Sequence, residues 1–191
     1  MAGAIRSVGF RPKADTQHGN MRGKLDTANW RIRRATHSDL ERIIGIDLFA
    51  QSYAERLECL NFALISGEGI VADAQGSIAG FIQVNNSFFG YGFIPLILVS
   101  PDYRRSGVGL GLIAEAVRRC TSTKLFTSAN TSNEPATRLL EKAGFRKSGQ
   151  IDNLDDHDPE IIYIFRGELP RDKGQNLQSP NGQVPTVRGI S

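Results

Sequence analysis

The chain has 191 residues, of which 40% are apolar and 23% charged, values typical of one globular domain with a hydrophobic core. Its two cysteines, Cys59 and Cys120, have neither the spacing of a metal site nor that of a disulfide framework. No apolar run reaches the roughly 18 residues that a membrane-spanning helix needs, and residues 1–28 lack the apolar segment of a signal peptide. We therefore expect a cytoplasmic protein that binds neither a metal nor a membrane.

The net charge of +3 comes from the two ends of the chain. Residues 1–29 have five basic and two acidic side chains, and residues 169–191 have three and one. Residues 30–168 are slightly acidic, so the charge pattern gives little reason to expect nucleic-acid binding. Because both ends are polar, rich in glycine and without periodicity, we predict disordered tails at residues 1–28 and 169–191 around one domain of residues 29–168.

The first half of this domain begins with alternating apolar and charged residues at positions 30–33, which predict a strand. Thr36 or Ser38 is expected to begin the first helix. Ser52 and Glu55 have the spacing of a capping box, which predicts the start of a second helix.

Three strands are predicted next. Strand-like patterns at residues 69–75 and 77–85 flank Gln75 and Gly76, a dipeptide that favours a tight hairpin turn. Residues 85–92 are expected to be a loop because they contain asparagine and glycine. The wholly apolar run at residues 93–99 then predicts a buried strand.

The second half of the domain alternates helices and strands. These elements are, in order, a helix with an apolar face from Val108 to Cys120, a strand at residues 124–129, a helix at residues 136–143, and strands at Phe145–Ile151 and at residues 160–166. The complete order, βααβββαβαββ, predicts a single α/β domain with a mixed sheet flanked by helices.

A candidate anion site lies where the buried strand leads into the third helix. Arg104 and Arg105 precede Gly107 and Gly109 at the predicted helix start. Backbone N–H groups at a helix N-terminus, together with the helix dipole, favour a phosphate. Two arginines add charges suited to a phosphate or pyrophosphate. The alternative is a tight glycine turn beside two solvated arginines.

The spacing of these residues excludes two common phosphate motifs. No segment fits G-x-x-x-x-G-K-[ST], and the glycine pair is not followed by the third glycine of G-x-G-x-x-G. Arg104, Gly107 and Gly109 do fit R-x-x-G-x-G, and Asn133 to Phe145 is similar to N-x-x-A…Y-E-K-x-G-F. With both motifs at this separation, the chain resembles the GNAT superfamily of acyl-CoA-dependent N-acyltransferases over roughly residues 30–166.

The resemblance implies a GNAT-like domain whose twisted sheet is mostly antiparallel and whose co-substrate is acetyl-CoA. Backbone groups of the strand would pair with the pantetheine arm, the arginine–glycine loop would bind the pyrophosphate, and the asparagine of the second motif would contact pantetheine. The implied acetyl-CoA site consists of Ile97, Leu98, Val99, Arg104, Arg105, Ser106, Gly107, Val108, Gly109, Leu110 and Asn133.

The catalytic residues are less well indicated. Family members commonly protonate the leaving thiolate with a tyrosine in the second motif, but this chain has Leu140 there. The apolar strand also has no Asp or Glu, so a base frequently found there is missing. Glu160 and Tyr163 are the remaining candidates by position. Ser128, Ser132, Glu55 and Glu58 are further candidates. Every candidate, Glu160 and Tyr163 included, also has an ordinary structural interpretation as a solvated acid, a strand tyrosine or a capping serine.

The resemblance predicts an N-acetyltransferase that transfers acetyl directly to a primary amine of a small cationic molecule or peptide. Five carboxylates in residues 152–160 could attract such an amine, although a solvated turn explains them equally well. A non-catalytic acyl-CoA-binding module is the alternative, because of Leu140. A homodimer is compatible with either function.

Overall fold

A computed structural model describes residues 30–170. Residues 1–28, predicted to be a tail, lie outside the described residues, as do all but the first two of residues 169–191. Within the described range, Leu169 packs against the main hydrophobic core.

Seven strands and four α-helices follow each other in the predicted order βααβββαβαββ. Single 3₁₀ turns at His37–Asp39 and Pro101–Tyr103 precede the first and third helices. The two longest helices between residues 30 and 170 have 12 residues each. No helix in this range is long and apolar enough to cross a membrane. The elements are β1 (Arg31–Arg34), α1 (Leu40–Ile46), α2 (Ala54–Ile65), β2 (Gly69–Ala74), β3 (Ser77–Phe88), β4 (Tyr91–Val99), α3 (Val108–Arg119), β5 (Leu125–Asn130), α4 (Glu134–Lys142), β6 (Phe145–Ile151) and β7 (Glu160–Phe165).

The strands form one mixed sheet in the order β1-β2-β3-β4-β5-β7-β6. Every neighbouring pair is antiparallel except β4 and β5, which are parallel. Parallel neighbours require a crossover connection, and α3 lies within it. The sheet is therefore mixed and mostly antiparallel, as the resemblance implied.

Helices cover the two faces of the sheet differently. The larger core cluster joins α3 and α4 to one face, through residues such as Leu112, Leu140 and Tyr163. The smaller cluster joins α1 and α2 to the opposite face, through Ile43 and Leu60. We call these the α3/α4 face and the α1/α2 face. Successive strand residues point to opposite faces of the sheet, so the cluster to which a strand residue belongs shows the face to which its side chain points.

Both hairpins before the parallel pair have two-residue turns. Gln75 and Gly76 have φ angles of 52° and 97°, which confirms the predicted tight turn. The predicted loop at residues 85–92 is wrong, since β3 continues to Phe88 and the chain reverses at Phe89 and Gly90. Pairing with β4 extends this strand despite its polar residues.

The predicted helix starts agree only partly with the structure. Thr36 precedes the 3₁₀ turn His37–Asp39, which leads into α1, and its N–H donates to Asp39 Oδ2 at 2.8 Å, but the residue directly before α1 is Asp39. The predicted capping box at Ser52 and Glu55 is wrong, because Tyr53 is the residue before α2 and its side chain makes no capping hydrogen bond. Tertiary packing of α2 has overridden the local signal there.

A buried carboxylate connects β1 to α1. Asp39 is fully buried and accepts hydrogen bonds from both Nη atoms of Arg33, at 2.7 and 2.8 Å. Arg42 and the Thr36 hydroxyl also donate to it. The Arg33 hydrogen bonds hold the pKa of this carboxyl well below its usual range. The network positions α1 over the sheet.

Candidate active site

The parallel strands β4 and β5 separate partway along their length. Their pairing covers Gly92 to Ile94 on β4 and ends at Thr127 on β5. The Thr127 hydroxyl donates to the Ile94 carbonyl oxygen at 2.9 Å, at the last paired position. Beyond it, the described part of β4 pairs only with β3, and that of β5 only with β7. A V-shaped cleft, open between two strands, results.

A bulge in β4 marks the apex of this cleft. Phe93 is opposite Asn85 and Leu96 is opposite Gln83, so β4 has one more residue than β3 in this interval. The extra residue moves Leu96 to the α1/α2 face, while Ile94 belongs to the α3/α4 face. The sequence contained a signal for it, because proline inside a strand favours an edge or a bulge, and residue 95 is Pro.

The wall formed by the end of β4 contains three of the predicted cofactor contacts. Ile97, Leu98 and Val99 are all partly exposed. Their strand partners are on β3, namely Ile82, Phe81 and Gly80. On the cleft side no described strand pairs with them. Backbone groups of this wall are therefore open to an extended ligand.

The loop after β4 ends in the first turn of α3. Gly107 precedes the helix with a φ of 90°, a conformation that glycine adopts without strain. The first helical hydrogen bond runs from Gly111 N–H to the Gly107 carbonyl oxygen at 2.9 Å. The N–H groups of Val108, Gly109 and Leu110 consequently precede the helical hydrogen-bond ladder and are available to an anion.

Positive charge accompanies these N–H groups. Arg104, Arg105 and Ser106 are exposed in the same loop, and neither arginine forms an ion pair with a carboxylate of residues 30–170. The Ser106 hydroxyl donates to the Tyr103 carbonyl oxygen at 2.6 Å, which stabilises the loop. Two cations without an acidic partner among residues 30–170 thus lie beside a helix N-terminus.

The second glycine of the motif serves helix packing. A Cβ built on Gly109 would lie 2.9 Å from Leu139 Cδ2 of α4 and 3.5 Å from Val99 Cγ2. The space opened by its missing side chain is therefore filled by α4, which leaves only its backbone N–H to contact a ligand. By contrast, a Cβ on Gly107 would have no neighbour within 4 Å.

Asn133 lies across the cleft from this loop, at the start of α4. Its Oδ1 accepts from the Ala136 N–H at 3.2 Å and caps the helix. Its Nδ2 has no hydrogen-bond acceptor among the described residues. The amide donors therefore remain available to a ligand carbonyl.

Comparison with known proteins identifies the family. The sequence profile of the Acetyltransferase (GNAT) family matches residues 31–145, more than half of the chain. This chain belongs to the GNAT acetyltransferase family. No curated protein matches its sequence.

Solved structures share the GNAT fold. A GNAT-family acetyltransferase from Bacillus cereus ATCC 10987 is 32% identical, with a TM-score of 0.66 over 71% of this chain and 95% of its own. Ard1 from Thermoplasma volcanium is 22% identical, with a TM-score of 0.63 over 72% and 99% of the two chains. The yncA protein from Salmonella typhimurium, solved with acetyl-CoA, is 18% identical, with a TM-score of 0.58 over 72% and 94%. At these two lower identities the likeness concerns the fold.

The two predicted catalytic residues of this GNAT domain lie on opposite faces of β7. Tyr163 belongs to the α3/α4 face, is 1% exposed and has its hydroxyl 3.2 Å from Thr137 Oγ1 of α4. Glu160 is opposite Asn130 of β5 and is also buried. Because strand residues alternate, Glu160 points to the α1/α2 face. The structure therefore does not bring the two side chains together.

The acidic loop at residues 152–160 is anchored to the β5–α4 turn. Asp155 Oδ2 accepts from Asn130 Nδ2 at 2.8 Å, and Asp158 Oδ1 accepts from the Ser132 N–H at 2.9 Å. Asp152 accepts from Gln150 at 2.6 Å. These three carboxylates accept hydrogen bonds from uncharged donors, so they order the loop and the loop keeps its negative charge.

The remaining candidates have ordinary surroundings. Leu140, in the position of the usual tyrosine, is 2% exposed within the main core. Glu55 and Glu58 are exposed on α2, and the Ser132 hydroxyl donates to Asp158. Ser128 is partly exposed on β5, beyond the last position paired with β4. Of these four polar residues, only Ser128 lies on a wall of the cleft.

Proposed function

We propose that this GNAT domain transfers the acetyl group of acetyl-CoA to a primary amine of a small cationic molecule or peptide. The observation that carries the proposal is the separation of β4 from β5 after Ile94 and Thr127, with the open end of β4 leading through the arginine–glycine loop to the start of α3. An extended thioester with a pyrophosphate at one end matches both features. The Salmonella typhimurium protein of this fold, solved with acetyl-CoA, supports the choice of donor.

The donor would bind with its two ends recognised differently. The pyrophosphate accepts from the N–H groups of residues 108–110, with Arg104 and Arg105 supplying charge. The pantetheine amides pair with the β4 backbone at residues 97–99 as an added strand. Asn133 Nδ2 donates to the same arm from α4. This arrangement places the thioester near the apex of the cleft.

Acetyl transfer then needs an oxyanion donor and proton transfers. A backbone N–H of β4 near the apex would stabilise the oxyanion of the tetrahedral intermediate, because residues 97–99 lie farther along the strand beside the pantetheine amides. Glu160, on the α1/α2 face, would receive a proton from the acceptor side. Tyr163, on the α3/α4 face, would donate one to the CoA thiolate. Their positions on opposite faces of the sheet suit these two different roles.

A screen of acceptor amines tests the proposal. The full chain is mixed with acetyl-CoA and spermidine, a lysine-containing peptide or a peptide with a free N-terminus, and CoA release is followed with a thiol reagent. We expect steady release with at least one amine, above the rate without it. Failure to bind acetyl-CoA in calorimetry, or the absence of turnover with any amine, would contradict the proposal.

A second candidate function is a non-catalytic acyl-CoA-binding module. The specific observation in its favour is Leu140, which is buried in the core where a proton-donating tyrosine is common. A thiolate is a tolerable leaving group without such an acid, so we rank this function second. Acetyl-CoA binding without turnover across the amine panel would favour it.

A further inference from the structure

A polar cluster on the α1/α2 face lies beside the apex of the cleft. Gln83 and Asn85 of β3 alternate with Ile82 and Val84, which serve the α3/α4 face, and so point to the α1/α2 face. Gln83 is only 4% exposed, although it lies two residues from Phe81 in an apolar part of the sheet. A buried amide there requires a polar partner.

The partner is Glu68, the residue before β2. Gln83 Nε2 donates to Glu68 Oε2 at 2.8 Å, and Asn85 Nδ2 lies 3.4 Å from the same oxygen. The Val84 N–H donates to the Glu68 carbonyl oxygen at 3.1 Å, which fixes the backbone. Glu68 is partly exposed, and no described residue donates to its second carboxylate oxygen, Oε1. One oxygen is therefore held and the other is open to a ligand.

The strand register relates this carboxylate to the cleft. Gln83 is opposite Leu96, and Asn85 is opposite Phe93. These two β4 residues lie on either side of the bulge. Since neighbouring strands are about 4.8 Å apart, the amides that hold Glu68 are one strand from the point where β4 separates from β5. β4 itself has no acidic residue. Glu68 therefore supplies a carboxylate near a strand that lacks one.

We propose that Glu68 binds the acceptor ammonium group through Oε1 and removes its proton, with Gln83 and Asn85 as positioning residues. This inference rests on the proposed acetyl transfer. The ammonium gives one proton to Glu68, and the nitrogen lone pair forms the N–C bond to the thioester carbonyl. When the C–S bond breaks, the sulfur keeps the electron pair and takes a proton from the Tyr163 hydroxyl. Glu160 receives the second nitrogen proton, which returns to Tyr163 through water. Glu68 then releases its proton to water, leaving the amide and free CoA.

The decisive experiment compares Glu68→Gln with Glu41→Gln, a change at an exposed residue of α1. Both variants keep the side-chain size and remove one negative charge. For the amine with the fastest turnover in the screen, we expect Glu68→Gln to lower kcat/KM by about 100-fold or more. Glu41→Gln should leave it within about twofold. The Kd for acetyl-CoA, measured by calorimetry, should be unchanged in both and shows that each variant is folded.

Two further variants separate binding from positioning. Glu68→Asp keeps the charge and should retain more activity than Glu68→Gln. Gln83→Met removes the amide that orients Oε2, and we expect a lower kcat with a smaller change in the KM for the amine. Thermal unfolding of Gln83→Met checks its stability, because a structural role alone would lower the Tm without this split between kcat and KM.

The outcomes distinguish this inference from the proposed function. If kcat/KM of Glu68→Gln stays within about threefold of that of the unaltered chain, the role of Glu68 is overturned and acetyl transfer still stands. If the unaltered chain binds acetyl-CoA but acetylates no amine, both are overturned.

Discussion

The two sides of the cleft are built in different ways. On the proposed donor side, most groups are backbone groups at residues 97–99 and 108–110 of one continuous segment, which also contains Arg104 and Arg105, and Asn133 is added from the start of α4. On the proposed acceptor side, the polar groups are the side chains of Glu68, Gln83 and Glu160, from three separate parts of the chain.

This difference explains why the sequence indicates a donor site and indicates no acceptor site. A backbone site requires glycine at special positions and a strand–loop–helix order, and both are visible in a short stretch of sequence. A side-chain site depends on which distant residues the fold brings together. The predictions below test whether the two sides are independent, beginning with the largest expected effect.

Gly107→Glu should abolish most donor binding. The new side chain would enter the anion site with a negative charge, and the φ of 90° disfavours any residue with a Cβ. We expect acetyl-CoA affinity to fall by about 100-fold, equivalent to ~2.7 kcal/mol, in calorimetry. Gly107 tests the anion site better than Gly109, because a Cβ on Gly109 would also lie 2.9 Å from Leu139 and disturb helix packing.

The matched control is Gly76→Glu, in the β2–β3 turn. Gly76 has a similar φ of 97° and, like Gly107, would place a Cβ with no neighbour within 4 Å. The backbone strain is therefore comparable, but the site lies outside the cleft. If Gly76→Glu weakened acetyl-CoA binding as much as Gly107→Glu, strain and not the anion site would explain the loss.

Asp39→Ala should destabilise the domain through the acceptor-side scaffold. Removing the buried carboxylate leaves Arg33 and Arg42 without their shared partner at the β1–α1 junction. We expect the free energy of unfolding in urea to fall by about 3 kcal/mol. Below the transition, the Kd for acetyl-CoA should remain unchanged, because the donor loop is on the other side of the sheet.

Glu134→Ala serves as the control for Asp39→Ala. Glu134 pairs with Arg138 at 2.7 Å, but both side chains are more than two-thirds exposed, and such pairs contribute little. We expect a change below about 0.5 kcal/mol. A loss of acetyl-CoA affinity in folded Asp39→Ala would show that the two sides are coupled.

Much of the fold was predictable because helices and strands have distinct apolar periods. The order of elements and the Gln75–Gly76 turn were confirmed. The extension of β3 to Phe88 was missed because Asn85 and Ser87 are unfavourable in strands. Pairing with β4 compensates for them, and Phe89 adopts a φ of 52° in a turn position that usually favours asparagine or glycine.

The proposed acceptor side could not be predicted for a related reason. Glu68 precedes β2 without any motif around it, and its proximity to Gln83 depends on the β2–β3 register. The bulge at Pro95 decides that Leu96 faces α1 and α2. The proline alone indicated an irregular strand, but only the register shows which residues the irregularity redirects.

Thr127→Val tests the apex of the cleft, where the two sides meet. The change removes the hydroxyl that donates to Ile94 at 2.9 Å in a buried position. We expect a stability loss of about 1 kcal/mol and acetyl-CoA binding weaker by about fivefold, since the strands can separate further. Thr123→Val, at an exposed site before β5, should change neither. Unaltered affinity in Thr127→Val would mean that the hydroxyl does not define the apex.

The smallest expected effect concerns acid stability on the donor side. Hydrogen bonds from Arg118 and then Arg119 lower the pKa of Glu115, on α3, to about 2. A carboxyl with a lowered pKa stabilises the fold above its unfolded pKa, near 4.5, and this contribution is lost as the pH falls toward 2. Because Arg118 is two-thirds exposed, Glu115→Gln should cost under ~1 kcal/mol at pH 7. The difference in the free energy of unfolding between Glu115→Gln and the unaltered chain, measured in urea titrations, should shrink between about pH 5 and pH 2.

Asp39, whose pKa is lowered further within a buried network, should account for more of the acid sensitivity, so Asp39→Asn should flatten the pH dependence of stability more than Glu115→Gln. The reverse order would place the acid-sensitive contacts on the donor side of the sheet.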